Sequence, residues 1–517
     1  MNTAELLTID AFIRHWAAER PGQPAMVGER QLSHAELDTA TARVANGLAA
    51  AGFKKGDRIA WLGKNAVLYF TLLFGAARLG VVMAPVGWRL AGPERQYIID
   101  DSQTQWLFAG VEFAADAQAL AADLPRVQRV LSASQAWAWI DASAPSDDFS
   151  PAGPDDAVLQ LYTSGTTGRP KGVELSNRNL FGLRRPAQEA NLPWAFWDDN
   201  EVVMVAMPCA HIGGTGLGVM ALGAGVCGCV LPEFTPDAVF DAISNEGVTR
   251  FFAVPAAMQM LVNHPRCANT DFSRLKYIFY GAAPIPLALL RQCVAAFGCH
   301  FAQAYGMTET TGTVVLLPPQ DHDANGGPRM RAAGKAVPGV ELKVVDGSGQ
   351  AVATGTVGEI LTRSSNNMLG YWRQPEATAR TLSADGWVAT GDAGYLDADG
   401  YLFIHDRVKD MIISGGENIY PAEVENAIYG HPDVADVAVI GVPDATWGEA
   451  VKAVCVPRPG HTVDPASVIA WARERIAGFK IPKSVDVVAE LPRNPTGKIL
   501  RRALRAPYWE GLDRQVN

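Results

Sequence analysis

Apolar and polar positions alternate along the first half of the chain in two rhythms. Between His34 and Ala51 the apolar residues recur on one face at helical spacing, and Tyr69 to Leu79 forms a second, apolar helix. Arg58 to Leu62 is a short run of strand length. Ala157 to Tyr162, Arg250 to Val254 and Lys276 to Tyr280 continue the series as strands, the last two running into turns that contain Pro or Gly. Such alternation predicts an α/β fold in which parallel strands are flanked by helices, with ligand groups at the strand ends.

The run from Val202 to Pro232 strains that pattern, because it carries no Asp, Glu, Lys or Arg and is long enough to cross a bilayer. Pro208, Pro232 and seven glycines interrupt it, so a strand, a Gly-rich turn and a buried small-residue helix account for it better than a transmembrane segment. After about Gly334 the pattern changes to short β elements: Glu341 to Val345, a turn at Asp346-Gly347-Ser348-Gly349, then Gly358 to Thr362. A charged cluster at Asp406 to Asp410 separates these from a terminal α+β unit with helices starting at Pro421 and running from Pro465 to Ala477. The expected organisation is an N-terminal domain over 1–406, with a β-rich subdomain over about 334–406, and a small C-terminal domain over 407–517. Arg407 to Lys409 reads equally as a hinge and as a solvated turn.

Length and composition narrow the class. A chain of 517 residues, 48% hydrophobic and 19% charged, without a low-complexity tract, is a globular protein of at least two domains. Its net charge of −10 argues against wholesale nucleic-acid binding, so any anionic ligand must find a local basic patch. The seven cysteines are scattered through apolar segments and point to buried thiols in a reducing compartment; Cys227 and Cys229 lack the further ligands of a metal site. Met1 to Glu19 contains Glu5, Asp10 and Arg14 and no long apolar core, so no secretory signal is expected and the expected location is cytoplasmic. Oligomeric state is left open.

The candidate chemistry begins where a strand stops. Thr163-Ser164-Gly165-Thr166-Thr167-Gly168-Arg169-Pro170-Lys171-Gly172 offers hydroxyls and close-approaching amides that can wrap a polyphosphate, followed by a cation. Its spacing is not that of a Walker A loop, and by composition alone the run is equally a flexible linker. Tyr280-Gly281-Ala282-Ala283-Pro284 ends another strand with side chains small enough for a flat ring to lie against the backbone. Gln303-Ala304-Tyr305-Gly306-Met307-Thr308-Glu309 supplies an aromatic face, a hydroxyl and a carboxylate, which suit a purine, a phosphate and a Mg²⁺ ion. Thr390-Gly391-Asp392 and Asp406-Arg407 each follow a predicted strand, and their charges suit a ribose diol or, equally, a surface ion pair. Pro492 to Lys498 places one lysine in a Pro/Gly loop.

In this order, over about Ile9 to Arg502, these motifs together with Asp406-Arg407-Val408-Lys409-Asp410 and Gly415-Gly416-Glu417-Asn418 resemble the adenylate-forming superfamily of acyl- and aryl-CoA synthetases, peptide-synthetase adenylation domains and beetle luciferases. No core motif departs. The resemblance implies that Thr163, Ser164, Gly165, Thr166, Thr167, Gly168 and Lys171 hold the ATP phosphates, and that Gly281, Ala282, Ala283 and Tyr305 frame adenine. It implies further that Thr308 touches the α-phosphate, Glu309 binds Mg²⁺, and Asp392 with Arg407 binds ribose. Lys498 would bridge the attacking carboxylate and the α-phosphate, and Lys409 would be the pivot that exchanges Lys498 for the Gly415-Gly416 strand lining a thiol tunnel. The implied reaction converts a carboxylate and ATP to acyl-AMP and pyrophosphate, then a thiol and acyl-AMP to a thioester and AMP.

The sequence stops soon after Lys498, which makes a diffusible thiol, most simply coenzyme A, the expected acceptor. By resemblance to CoA ligases, Arg89, Lys480 and Lys483, with Trp447 behind them, are candidates for its phosphates; they read equally as surface residues. The stretch Cys209 to Gly216 contains no acid to pair with a substrate amine, which discounts an amino-acid substrate. His211, as a gate, with Gly213, Gly214, Gly216, Ala304, Gly306 and Met307, suggests a roomy apolar pocket. The pattern is closest to bacterial fatty-acid-CoA ligases, so a medium- or long-chain fatty acid is the first expectation and a cinnamate- or benzoate-like acid the second. Burying either gives about 25 cal/mol per Å² of apolar surface. A non-catalytic adenylate-binding protein is the alternative of a different class, but Lys498, Glu309 and Asp392, whose loss would mark it, are intact.

Overall fold

The computed structural model describes residues 3–145, 149–163, 169–195, 197–283, 285–322, 327–407, 410–414, 417–444, 446–493 and 499–510. Their strands form four sheets. In the first, six parallel strands stand side by side in the order Pro24–Val27, Cys227–Val230, Val202–Val205, Arg250–Ala253, Tyr277–Gly281 and His300–Met307, extended at the edges by antiparallel strands. The second sheet runs Gly370–Tyr371, Lys171–Ser176, Ala157–Thr163, Val82–Val86, Arg58–Leu62, Trp106–Ala109 and Arg129–Ser132. It is parallel except where Lys171–Ser176 meets its two neighbours.

The apolar helix Val67–Leu79 is buried along its whole length, which is why it lacks a polar face. Its one charge, Arg78, is fully buried and tolerated because Asp38 Oδ1 lies 2.7 Å from Nη1 and Asp10 Oδ1 2.8 Å from Nε. The uncharged run from Val202 resolves into the strand Val202–Val205, the helix Ile212–Ala224 and a further strand, Cys227–Val230, that its pattern did not announce. Gly225 ends the helix in the left-handed conformation (φ 69°), and Cys-Gly-Cys carries little intrinsic strand preference. No described helix is long and apolar enough to cross a membrane.

The third sheet is antiparallel and holds Glu341–Val345, Gly358–Arg363, Val388–Leu396 and Leu402–Arg407. Here two expectations are corrected. Thr390-Gly391-Asp392 lies inside a strand rather than after one, because Gly391 (φ 71°) kinks the chain without ending its pairing. Asp406 and Arg407 likewise fall within the last strand, and Arg407 pairs opposite Asp392. The fourth sheet contains Ile412–Ser414, Glu417–Ile419, Val434–Asp444, Gly448–Pro457 and Ser484–Val487, covered by helices Pro421–Tyr429 and Pro465–Arg473. The second helix stops at Arg473 instead of Ala477, since the chain must turn through Gly478–Lys480 into its last strand.

Beneath the first sheet lies a buried ion pair. Arg250 and Glu201 are 2% and 1% exposed; Arg250 Nη2 donates to Glu201 Oε1 at 2.8 Å, and its Nε also contacts that carboxylate. The guanidinium lies 4.4 Å from the Tyr277 ring centroid and donates to the Trp194 carbonyl. Arg250→Leu is expected to destabilise the fold by about 3–5 kcal/mol, because it strands a buried carboxylate that Lys276, 3.2 Å away but 41% exposed, only partly compensates. Urea unfolding of the two proteins measures the difference.

Candidate functional site

The strand Ala157–Thr163 pairs antiparallel with Lys171–Ser176, with Thr163 directly opposite Lys171, so the two ends of the polar run are held side by side. Ser164, Gly165, Thr166, Thr167 and Gly168 themselves lie outside the described residues. A buried polar layer fixes the base of this hairpin. Tyr162 donates to Asp101 at 2.6 Å, Gln160 to Tyr162 at 2.9 Å, and Arg58 to Glu174 at 2.7 Å while stacking 3.3 Å from the Trp372 ring centroid. Burial raises the Glu174 carboxyl and lowers the Arg58 guanidinium, each partly offset by the other's charge.

Across from the hairpin, Glu309 sits in the turn Thr308–Thr310, buried at 6% exposure. The hydroxyl of Tyr371 donates to its Oε1 at 2.7 Å, and the Lys171 ammonium lies 4.6 Å from the Tyr371 ring centroid. The carboxylate makes no other hydrogen bond among the described residues, so its second oxygen is available to a cation. Sequence reasoning did not single out Tyr371; its one local signal is the Gly-Tyr-Trp run at 370–372.

The strand ends of the first sheet bring the other candidates together. Gly281 pairs with Ala304, and a Cβ at Gly281 would stand 2.0 Å from the Ala304 carbonyl oxygen, so only glycine permits this approach. Ala282 follows with φ 65°, a strained conformation for a side-chain-bearing residue. Tyr305 donates to Asp392 Oδ2 at 2.8 Å, joining the first sheet to the third beside the strand that carries Arg407. A cleft of about 130 Å³ is lined by Val254, Ala282 and Ala283 on one side and by Arg493, Ile499 and Arg501 on the other. Arg493 and Ile499 bridge each other and flank the segment containing Lys498. Lys498, Lys409, Gly415 and Gly416 are outside the described residues, although Ser414 and Glu417, which bracket the two glycines, are paired.

Below the strand ends is an apolar face. Alternation along the strands puts Phe252, Phe279, Ala302 and Ala304 on one side of the sheet, and a Cβ at Gly213 would lie 3.2 Å from the Phe252 ring. Gly306 approaches the Gly312 carbonyl just as tightly, leaving no room for a side chain, and Met307 ends the same strand. A Cβ at Gly214 would meet the Met207 carbonyl at 2.3 Å, so glycine is needed where its helix packs on the preceding turn. His211 precedes that helix, and burial, with a smaller contribution from Arg89, pushes its imidazole down to about 4, leaving it neutral.

The candidate CoA cations are not gathered together. Arg89 stacks on Trp88 at 4.5 Å and lies 3.6 Å from Glu233. Lys480 is engaged by both oxygens of Glu423 at 2.6 and 2.8 Å, a partner too distant in sequence for spacing to reveal. Lys483 and Trp447 are exposed. Burial raises the Cys227 and Cys229 thiols to about 12, and the described residues hold no cluster of three or more His, Cys, Asp or Glu suited to a metal.

Residues 13–372 match the family model of the AMP-binding enzyme, and residues 423–498 that of the AMP-binding enzyme C-terminal domain. The chain belongs to the AMP-binding enzyme family. Among AMP-binding relatives it is 42% identical, over 99% of both chains, to a fatty acid–[acyl-carrier-protein] ligase, ScoC, of Streptomyces coeruleorubidus. It is 41% identical to a feruloyl-CoA synthase of an Amycolatopsis species, covering 93% of this chain and 95% of that one. Its fold matches ATP-bound MatB from Rhodopseudomonas palustris with a TM-score of 0.87 at 32% identity, over 97% and 99% of the two chains. Within this AMP-binding family the chain is an AMP-forming acyl-CoA synthetase.

Two half-buried histidines, His211 and His322, set an acid limit on stability. Burial also drives His322, which contacts Tyr280 and the Pro318 carbonyl, down to about 4. Both folded values lie below the ordinary 6.5, so the unfolded chain takes up their protons first. Their contribution is complete above about pH 6.5 and is lost as pH falls towards 4. Denaturation at a series of pH values is expected to show this slope, and a His211→Gln, His322→Gln double variant to flatten it.

Proposed function

We propose that the protein joins a hydrophobic monocarboxylic acid to coenzyme A in two steps at one site. In the first, an oxygen of the acid attacks the α-phosphorus of ATP, the bond to the pyrophosphate oxygen breaks, and acyl-AMP forms. In the second, the thiolate attacks the acyl carbon and AMP leaves with the oxygen. The observation that carries this reading is the convergence on Tyr371 of the Lys171 ammonium, against its ring, and the Glu309 carboxylate, at its hydroxyl, with the strand leading into Glu309 bonded through Tyr305 to Asp392. It supplies a cation and a cation-binding carboxylate for the phosphates, and an aromatic face with a carboxylate for the nucleoside.

Residues Thr163 to Gly168 and Lys171 hold the phosphates, Gly281, Ala282, Ala283 and Tyr305 frame adenine, Thr308 meets the α-phosphate, and Asp392 with Arg407 takes the ribose. Glu309 fits Mg²⁺, a hard cation that needs one or two carboxylates beside phosphates and water. When bound, the ion would neutralise phosphate charge. Lys498 offsets the repulsion between the two anions as they meet, and Lys409 is the pivot that trades it for Gly415 and Gly416 before the thiol attacks. Arg89 and Lys483 serve the CoA phosphates; Lys480 does so only after releasing Glu423.

The acid is a compact one, ring-bearing or of medium chain length. Phe252 and Phe279 form an aromatic wall close to the strand ends, and farther along the same face stand Tyr277 and the buried Arg250. The five strand residues from Tyr277 to Gly281 span only about 13 Å, four steps of about 3.3 Å. His211, beside Gly213, is held neutral and so adds no charge of its own to this end of the pocket. A long-chain fatty acid remains the second reading, favoured by the ScoC likeness, which also makes an acyl carrier protein the competing acceptor.

Incubation with ATP, Mg²⁺ and either acceptor, over acids from acetate through octanoate and palmitate to cinnamate and ferulate, tests both points. AMP and thioester are expected in equal amounts with CoA, with kcat/KM for octanoate or cinnamate at least about tenfold above palmitate, the difference worth about 1.4 kcal/mol of fit. Preference for palmitate, or for the carrier protein, would reverse the assignment; binding of acyl-AMP without turnover would mark a non-catalytic protein.

A further inference from the structure

The segment 366–372 is threaded between the two halves of the candidate phosphate site and bonded to both. Towards the hairpin, Tyr371 pairs opposite Val173, Trp372 donates its amide to the Gly172 carbonyl at 2.7 Å, and its indole donates to the Asp101 carbonyl at 2.9 Å. Towards the other half, the Met368 amide donates to the Glu309 carbonyl at 2.8 Å and Thr311 donates its hydroxyl to the Asn366 carbonyl at 2.5 Å. Tyr371 is 7% exposed, and its hydroxyl donates to Glu309 Oε1 at 2.7 Å.

We infer that Tyr371 is the positioning residue of the cation-binding carboxylate. Its hydroxyl holds one oxygen of Glu309 and aims the other at the phosphate site, while its ring spaces Lys171 from that carboxylate. A carboxylate is free to turn about its terminal torsion, so a cation would otherwise have to order it on binding. Hydrogen bonds to a charged acceptor are about twice as strong as neutral ones, enough to fix the group beforehand. The inference rests on the proposed role of Glu309, and the experiment separates the two.

Mn²⁺ serves as the probe, its free concentration read by electron paramagnetic resonance as it is titrated into enzyme with ATP. Tyr371→Phe is expected to weaken Mn²⁺ binding about tenfold, the scale of one hydrogen bond to a charged group, and to leave metal-free ATP binding unchanged. Glu309→Gln is expected to weaken Mn²⁺ binding in the wild-type background and to add little on top of Tyr371→Phe, since the two act as one unit. Two isosteric replacements keep the test valid even if Tyr371→Phe does not fold. Tyr371→p-aminophenylalanine retains a donor and should restore affinity, whereas Tyr371→p-methylphenylalanine fills the same space without one and should not. Equal Mn²⁺ affinity in these two replacements, or an unchanged value in folded Tyr371→Phe, overturns the inference. An affinity untouched by Glu309→Gln overturns instead the assignment of Glu309.

Discussion

The candidate site hangs from one antiparallel pairing, Thr163 opposite Lys171. That pair belongs to two neighbouring strands of a sheet, so Thr163 and Lys171 cannot separate without breaking the sheet. The hairpin is fixed from below by the Arg58–Glu174 and Tyr162–Asp101 contacts and at its edge by Gly370–Tyr371. Its importance is electrostatic as well as geometric. A chain of net charge −10 that is to hold a polyphosphate against a carboxylate must place its cations locally, and pairing fixes Lys171 on this side of the loop.

The remaining parts are positioned by strand alternation. At the ends of the first sheet, Gly281 and Ala304 meet too closely for any side chain at position 281, while the same face farther along carries Phe252 and Phe279. Nucleotide and acid thus share one sheet edge in the proposed reaction, and the reacting carboxylate lies between them. The third sheet contributes through Tyr305 and Asp392, and the terminal region brings the flanks of Lys498 to Ala282 and Ala283. Four separately formed sheets converge on a region whose backbone is strained at Ala282.

Much of this was legible in the sequence. The strand Arg58–Leu62, the helix start at Pro421 and the small-residue turn after Tyr280 follow from periodicity and turn chemistry, and the ordered motifs identified the family. What escaped notice depends on contacts far apart in sequence. Tyr371 reaches Glu309 across 62 positions, and Lys480 reaches Glu423 across 57, so neither partner is signalled by spacing. Cys227–Val230 becomes a strand because neighbours on both sides pair with it, not through its own residues, and Gly391 bends a strand that its composition would end.

The central claim is that an amine carried by the C-terminal region lets two anions combine at this site, and acid-dependent exchange of labelled pyrophosphate into ATP measures that step alone. Lys498→Ala is predicted to lower the exchange by about 10² or more through lost charge stabilisation, while thioester formation from supplied acyl-AMP continues. Undiminished exchange in that variant would contradict the account.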